Sequence, residues 1–183
     1  MIITNRAKLG LGVLLMVAVG IAALFILRRG GSAPLAIGDQ ALDFTVPRLD
    51  AGEIELKNYR NHVVLVNFWA TWCPPCIEET PSLEKFAEQV KPYGVDVIGV
   101  SVDQDPAALA KFIQDYHLTY PIGRDPNRTL SWRYGTRQFP ETYIIGRDGR
   151  VASKIISNID WGDPRIISYV RDLAHPEEVG SRQ

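Results

Sequence analysis

Two cysteines, Cys73 and Cys76, are the residues of this 183-residue chain whose spacing most clearly predicts chemistry. They lie within Trp-Cys-Pro-Pro-Cys at positions 72–76, directly after the apolar run of residues 63–70 and at the start of a predicted helix. The N–H groups and the dipole at a helix N-terminus stabilise a thiolate. The two sulfurs lie about one helical turn apart, so a disulfide can close without rebuilding the backbone. The pair therefore predicts thiol-disulfide exchange, in which Cys73 attacks a partner disulfide and Cys76 resolves the mixed disulfide.

Three simpler interpretations of the cysteine pair stay open. A static disulfide is one, although a bridge that closes so short a loop adds little stability. A zinc site is the second, but it needs four ligands, and His62, His117 and His175 are scattered without ligand spacing. A packing pair of free thiols is the third. The strand-to-helix context favours redox chemistry over all three, and we expect no metal and no cofactor.

The apolar patterns of the chain predict the elements that position this pair. Segments 45–49 and 53–56 flank Asp-Ala-Gly and predict an antiparallel hairpin. Residues 63–70 predict a strand buried on both faces, which leads into the helix of the cysteines. A second apolar strand at 95–102 and a helix at 105–116 follow, and this alternation predicts a parallel βαβ unit in an α/β fold. The remaining predicted elements are a helix at 127–134, a hairpin of strands at 142–145 and 150–156, and a helix at 164–174.

The N-terminal segment predicts a membrane anchor. Residues 9–27 contain no charged or strongly polar side chain, and as a helix they would extend about 28 Å, close to the bilayer core of about 30 Å. The alternative is a cleaved secretory signal, but its apolar region usually has about 7 to 15 residues. We therefore expect a short cytoplasmic leader at 1–8, a transmembrane anchor at 9–27 and a linker at 28–36. A folded domain at 37–175 and a flexible tail at 176–183 complete the chain.

The charge distribution separates the anchor from the domain. The first 38 residues carry four of the 20 basic residues and none of the 21 acidic ones, so the remainder is mildly acidic. An acidic domain without a basic stripe has no electrostatic footprint for nucleic acid, and we exclude that class of partner. A short basic leader before an apolar segment is similar to an export signal. The domain is therefore expected on the non-cytoplasmic face of the membrane.

Two motifs give the chain a resemblance to a known family. The run Val-Asn-Phe-Trp-Ala-Thr-Trp-Cys-Pro-Pro-Cys at 66–76 is followed by Glu79 and Pro81, and Phe-Pro-Glu-Thr stands at 139–142. This pattern resembles the thioredoxin-like family of membrane-tethered reductases that includes TlpA, ResA and CcmG (DsbE). The resemblance extends over residues 37–173. It implies a thioredoxin fold, with a central mixed sheet flanked by helices, an N-terminal β-hairpin, a βα insertion and one preceding transmembrane helix.

The resemblance also assigns roles to residues outside the cysteine pair. It implies that Pro140 is a cis-proline that faces the sulfurs and presents backbone to a substrate strand. We also expect Trp72 and Phe139 to take part in substrate binding, since Trp69 of the buried strand is more suited to the core. Glu79 matches an acidic residue that the family keeps three positions after the second cysteine. As a carboxylate near the thiols, Glu79 would raise the thiol pKa and could exchange a proton. The alternative for Glu79 is an ordinary solvated helix residue.

Departures from cytoplasmic thioredoxins refine this expectation. Asn67 stands where those proteins place a buried aspartate, and an amide cannot move a proton, so Glu79 is the remaining local candidate. The double proline removes two N–H donors beside the thiolate, which favours a reductant over a strong oxidant. We interpret Trp69 and Trp161 as packing residues. A set of three arginines is interpreted as a solvated face: Arg128, Arg133 and Arg137.

The predicted function is that of a thiol-disulfide oxidoreductase which reduces disulfides in exported proteins. The resemblance implies apocytochrome c or its maturation chaperones as substrates, a membrane electron carrier of the DsbD or CcdA type as reductant, and a bacterial inner membrane with the domain in the periplasm. One alternative is a thiol peroxidase, but Ala70 and the absence of an upstream proline break its Pro-x-x-x-Thr-x-x-Cys pattern. Another is a copper chaperone on the same scaffold, but such proteins use a Cys-x-x-x-Cys spacing, whereas Cys73 and Cys76 have a Cys-x-x-Cys spacing.

Overall fold

The computed structural model describes residues 16–21 and 34–177, which belong to two separate units of the chain. Residues 16–21 are helical and exposed. Among the described residues, no helix has both the length and the apolar character needed to cross a bilayer. The rest of the predicted span at 9–27, the leader at 1–8 and residues 178–183 of the predicted tail lie outside the described residues, and the predictions for them stay predictions.

The second unit is built on a mixed five-stranded sheet in the order β5-β4-β3-β6-β7. Its strands are β3 (Val63–Trp69), β4 (Val95–Ser101), β5 (Ile122–Arg124), β6 (Glu141–Ile145) and β7 (Val151–Ile156). The first three run parallel, and β6 and β7 are antiparallel to their neighbours. All seven residues of β3 are buried, as its apolar run predicts for a central strand. The predicted thioredoxin-like α/β fold with a central mixed sheet is therefore confirmed.

Four α-helices of residues 34–177 pack on this sheet, and three of them begin at a proline. They are α1 (Pro74–Val90), α2 (Pro106–Asp115), α3 (Thr129–Tyr134) and α4 (Pro164–Ala174). Asp105 and Asp163 cap α2 and α4 by accepting the amide hydrogens of Ala107 and Arg165 at 2.8 and 2.9 Å. Leu83, Phe86 and Val90 form a buried apolar stripe along α1, which explains why this helix holds its orientation against the sheet.

The structure departs from the predicted elements mainly at strand β5 and at the start of helix α3. Strand β5 was not predicted, because three residues after Pro121 are too few to show a period. Helix α3 begins at Thr129, two residues later than expected, because Arg128 adopts a left-handed conformation with φ 57°. The predicted hairpin is present as β1 (Thr45–Pro47) and β2 (Glu53–Glu55), but it forms a separate two-stranded sheet.

Two hydrophobic cores lie on opposite faces of the sheet. One contains α1, α4, both cysteines and Trp161, and the other contains the hairpin, α3, Tyr134 and Tyr143. Leu35 joins the second core and donates its amide hydrogen to the Tyr134 carbonyl at 3.2 Å, so packing begins two residues before the expected boundary at residue 37. The first core brings the carboxyl end of β3 and the start of α1 together, and this junction carries the cysteines.

Candidate active site

Cys73 and Cys76 form a disulfide at the junction of β3 and α1. The S–S distance is 2.17 Å and the Cα atoms lie 5.3 Å apart. Cys73 is the N-cap residue of α1, in an extended conformation, and the helix begins at Pro74. Cys73 is 5% exposed and Cys76 is 1% exposed. The sulfur predicted to attack therefore belongs to the residue nearer the surface, and the resolving residue lies deeper in the core.

The first turn of α1 offers few hydrogen-bond donors to a thiolate. Pro74 and Pro75 have no amide hydrogen, so two of the donors that normally point out of a helix N-terminus are absent. The Ile77 amide already donates to the Cys73 carbonyl at 3.1 Å. Within the described helix, this leaves the Cys76 amide as the remaining donor of the first turn. The local field therefore stabilises a Cys73 thiolate less than a complete helix N-terminus would.

Glu79 is a buried carboxyl group on the same helix, only 4% exposed. Its Oε1 accepts a hydrogen bond from Asn67 Nδ2 at 3.0 Å, and its Oε2 accepts one from Trp161 Nε1 at 3.1 Å. Burial raises the pKa of Glu79 to about 7, while the hydrogen bonds from Trp161 and Asn67 act in the opposite direction. Desolvation outweighs the two donors, so the carboxyl group changes its charge near neutral pH. The alternative of a solvated helix glutamate is wrong.

The peptide bond between Phe139 and Pro140 is cis, as the family resemblance implies. The Pro140 carbonyl accepts the amide hydrogen of Ser157 at 3.0 Å, and proline has no amide hydrogen of its own. In the described part of the chain, no hydrogen bond involves the backbone N–H or C=O of Phe139. The backbone groups free to pair with another strand at this point therefore belong to Phe139 and not to Pro140.

Trp72 and Phe139 are brought together beside the disulfide. Their rings meet edge to face with centroids 6.2 Å apart, and Trp72 is 56% exposed. The Arg128 guanidinium lies 5.7 Å from the Trp72 ring centroid and 5.6 Å from that of Phe139, within the range of a cation–π contact. The interpretation of Arg128 as part of a solvated face is therefore wrong, whereas Arg133 and Arg137 are exposed as expected.

Comparison with known proteins identifies the family of this fold and site. Residues 37–154 match the family model described as the AhpC/TSA family. The thiol-disulfide oxidoreductase ResA of Bacillus anthracis is 34% identical over 122 residues, which cover 67% of this chain and 70% of that protein. ResA of Halalkalibacterium halodurans is 32% identical over 148 residues, covering 80% of this chain and 84% of that protein. The chain belongs to the AhpC/TSA family, among the ResA-like thiol-disulfide oxidoreductases.

Solved structures agree with the fold of this ResA-like enzyme. A Chlorobium tepidum protein assigned as a thiol:disulfide interchange protein DsbE superposes with a TM-score of 0.71 at 24% identity, over 76% of this chain and 99% of that one. A secreted thiol-disulfide isomerase from Corynebacterium glutamicum gives a TM-score of 0.69 at 23% identity, over 79% and 99% of the two chains. At these identities the likeness concerns the fold alone. The oxidoreductase activity follows from the ResA relatives and the cysteine pair.

The structure of the ResA-like enzyme brings together the residues predicted from its sequence. Cys73 and Cys76 are bonded, Trp72 and Phe139 are in contact, and Glu79 lies one turn beyond Cys76 in α1. Their catalytic and substrate-binding roles, and that of Pro140, stay predictions. Trp161 is fully buried, as a packing residue should be, but it also donates a hydrogen bond to Glu79. Its interpretation as a packing residue alone was therefore incomplete.

Asp103 is a site residue that the sequence analysis missed. It is 2% exposed, and its carboxylate accepts hydrogen bonds from the Thr71 amide at 3.0 Å, the Thr71 hydroxyl at 2.6 Å and the Ser101 hydroxyl at 2.7 Å. These bonds fix the segment that leads from β3 into Cys73. One signal was available in the sequence: Asp103 follows the strand next to β3, and the carboxyl ends of parallel strands meet at one edge of a sheet.

Proposed function

We propose that this ResA-like enzyme works as a reductase of disulfides in exported proteins, such as apocytochrome c or its maturation partners. The observation that carries the direction of electron flow is the start of α1, where two prolines remove the amide donors of the first two helical positions. A strong oxidant gains its potential from a stabilised thiolate, and this helix start provides little of that stabilisation. The reduced pair is therefore expected to give its electrons to a substrate.

The proposed reaction transfers two electrons from the dithiol to the substrate disulfide. The Cys73 thiolate attacks one substrate sulfur, and the substrate S–S bond breaks as the first substrate thiolate leaves. Cys76 then loses its proton and attacks the Cys73 sulfur of the mixed disulfide. The second substrate thiolate leaves, both substrate thiolates take up protons, and the enzyme ends with the Cys73–Cys76 bond that the structure contains.

Glu79 is proposed to accept the proton of Cys76 in the second step. Cys76 is 1% exposed, so water has little access to its sulfur. Glu79 lies three residues further along α1, on neighbouring positions of the helix surface. Because burial raises the pKa of Glu79 to about 7, the carboxyl group exists in both forms near neutral pH and can take up and release a proton. Asn67, which donates to Glu79, has no proton to exchange.

Substrate binding is proposed to use backbone pairing at Phe139 beside the cis-proline. The N–H and C=O of Phe139 are without hydrogen bonds in the described structure, and Trp72 provides an exposed ring next to them. An extended substrate segment would add to this edge by strand pairing. Pro140 then acts through the backbone position that it gives to Phe139, since its own carbonyl is bonded to Ser157.

The proposed location is the bacterial inner membrane, with a single span at 9–27 and the domain in the periplasm. The apolar length of residues 9–27 and the basic leader before them support this topology. The oxidised pair would then be recharged by a membrane thiol carrier of the DsbD or CcdA type. A reporter that is active only in the cytoplasm, fused after Gln183, should stay silent, and a signal from it would overturn the topology.

The reduction potential of the Cys73–Cys76 pair tests the proposed direction. We expect a value close to that of thioredoxin, about −270 mV, and a value close to that of DsbA, about −120 mV, would make the enzyme an oxidant. Trapping tests the roles of the sulfurs: Cys76→Ser should accumulate a mixed disulfide with substrate, and Cys73→Ser should not. Rapid consumption of hydrogen peroxide would favour the peroxidase alternative, and copper-dependent visible absorption would favour the copper chaperone.

A further inference from the structure

Arg128 is a cation beside Trp72, the residue before Cys73, and it has no carboxylate partner among the described residues. Its guanidinium contacts the rings of Trp72 and Phe139 and makes no hydrogen bond within the described chain. A guanidinium carries five N–H donors in its plane, and stacking on a ring leaves those at its edges available. Arg128 is half-buried beside the two rings, and partial shielding from water strengthens any ion pair that it forms.

The backbone holds Arg128 in this position. Its amide donates to the Asp125 carbonyl at 2.8 Å, and its own carbonyl accepts from the Trp132 amide at 3.0 Å. The Asp125 carboxylate accepts the amide hydrogens of Leu130 and Ser131 at 3.2 and 2.8 Å. Arg128 is left-handed with φ 57°, a conformation that costs energy for a residue other than glycine. The turn thus fixes a charged side chain over the two rings.

A groove of about 740 Å³ extends from the Trp72 ring across the carboxyl end of the sheet. We call it the Trp72–Arg128 groove; Trp132, Gln104, Asp103 and Asp105 also line it. Arg128 is the only cation among the described lining residues. Both acidic side chains already serve the fold, since Asp103 accepts from Thr71 and Ser101, and Asp105 caps α2. Among the charged groups of the described lining, the two carboxylates are therefore hydrogen-bonded within the fold and the Arg128 guanidinium is not, and it lies beside Trp72, the residue before Cys73.

We infer that the Trp72–Arg128 groove binds the substrate segment that flanks the disulfide, and that Arg128 selects a carboxylate side chain on that segment. A carboxylate matches the guanidinium edge with two parallel hydrogen bonds. The aromatic rings of Trp72 and Trp132, 56% and 59% exposed, supply apolar contact for the rest of the segment. This inference rests on the proposed action on protein disulfides and adds a specificity-determining residue to it.

The test uses three peptides that share one intramolecular disulfide and differ in the residue beside the first cysteine, which is Asp, Asn or Lys. Full-length protein in detergent micelles is reduced, freed of reductant and mixed with each peptide, and the second-order rate constant is followed by acid quenching and mass spectrometry. The variants are Arg128→Gln, Arg128→Glu and the matched control Arg133→Gln, which removes an exposed cation from the same region. Hydroxyethyl disulfide serves as an uncharged substrate without a flanking segment.

Wild type and Arg133→Gln should reduce the Asp peptide about 5 to 10 times faster than the Asn peptide, a ratio that falls as salt screens the pair. Arg128→Gln should abolish this ratio and Arg128→Glu should favour the Lys peptide, whereas Arg133→Gln should reduce hydroxyethyl disulfide at the wild-type rate. Equal rates for all peptides in wild type, or an Asp preference that survives Arg128→Gln, would overturn the inference. A Lys preference in wild type would also overturn it and would assign recognition to Asp105. Failure of wild type to reduce any disulfide would instead count against the proposed function.

Discussion

Trp161 donates the hydrogen of its indole nitrogen to Glu79 at 3.1 Å, across 82 positions of the sequence. Trp161 is fully buried, so this hydrogen has no water to bond to instead. A hydrogen bond to a carboxylate favours the ionised form, whereas burial favours the neutral form. The tryptophan therefore limits how far burial raises the pKa of Glu79, and through that pKa it sets the pH range in which Glu79 can accept a proton.

Replacing the indole should move the pH dependence of the reaction upward. In Trp161→Phe the carboxylate loses a donor worth about 1.5 to 3 kcal/mol, so the pH midpoint of mixed-disulfide resolution should rise by about one pH unit or more. The midpoint is measured from single-turnover rates between pH 5 and 9. Trp69→Phe is the matched control, since Trp69 is also buried but its indole N–H has no partner in the described structure. A midpoint that moves equally in both variants would assign the effect to packing.

Glu79→Gln should remove the inflection near pH 7 and make the cysteine pair more oxidising. Without the carboxylate, resolution should slow by a factor of about 10² at pH 8, in the usual range for loss of a general base. The thiolates also lose a nearby negative charge, so at least one apparent thiol pKa of the coupled pair should fall. Graded-pH alkylation and the reduction potential measure both effects, with Glu88→Gln, an exposed change on the same helix, as control. Identical curves would show that Glu79 has no part in proton transfer.

The same carboxyl group should make the folded enzyme less stable as the pH rises. Between its ordinary pKa of 4.5 and the raised value of about 7, Glu79 is protonated in the folded chain and ionised in the unfolded one. The folded state then binds more protons, so the free energy of unfolding falls with pH across this window, by about 3 kcal/mol in total. Glu79→Gln should lack this slope in urea unfolding at pH 5 to 8. The two proteins are compared by the pH dependence of their free energy of unfolding and not by its absolute value. In Glu79→Gln the side-chain amide leaves either Asn67 or Trp161 without an acceptor, which lowers the stability equally at every pH.

Restoring an amide donor at the start of α1 should make the cysteine pair more oxidising. Pro75→Ala returns one N–H to the first turn, where it can stabilise the Cys73 thiolate. We expect a lower thiol pKa and a reduction potential more positive by about 30 mV, which corresponds to a tenfold change in the equilibrium constant. Pro106→Ala at the start of α2 is the control, because that helix carries no cysteine. An unchanged potential would remove the basis for the proposed direction of electron flow.

Asp103→Asn should loosen the segment before Cys73. The Thr71 amide, the Thr71 hydroxyl and the Ser101 hydroxyl all donate to this carboxylate, and an amide group cannot accept from all three. The free energy of unfolding should fall by about 1 to 3 kcal/mol, and the rate of disulfide reduction should fall with it. Asp115→Asn, on an exposed position of α2, should change neither. A stable variant with a normal rate would show that Asp103 does not position the cysteine pair.

The sequence predicted those parts of the site that local patterns determine. The apolar run of β3, the predicted helix at 164–174 and the spacing of Cys73 and Cys76 each depend on residues close together in the sequence, and the structure contains all three. Contacts over long separations left no local signal. The hydrogen bond between Trp161 and Glu79 depends on packing across the first core. The position of Arg128 depends on a left-handed backbone conformation that the neighbouring residue types do not predict.

The disulfide lies within the first hydrophobic core, so the reduction potential of the cysteine pair depends on the stability of the fold. Both cysteines belong to the same cluster as Trp69, Leu83 and Trp161. Oxidation and reduction therefore alter a packed interior, and the thermodynamic cycle that joins folded and unfolded chains must close. If the oxidised form is more stable to unfolding by 1.4 kcal/mol than the reduced form, the folded pair has a potential about 30 mV below that of the same sequence unfolded. The measured reduction potential can thus report how well this core accommodates the disulfide compared with the two thiols.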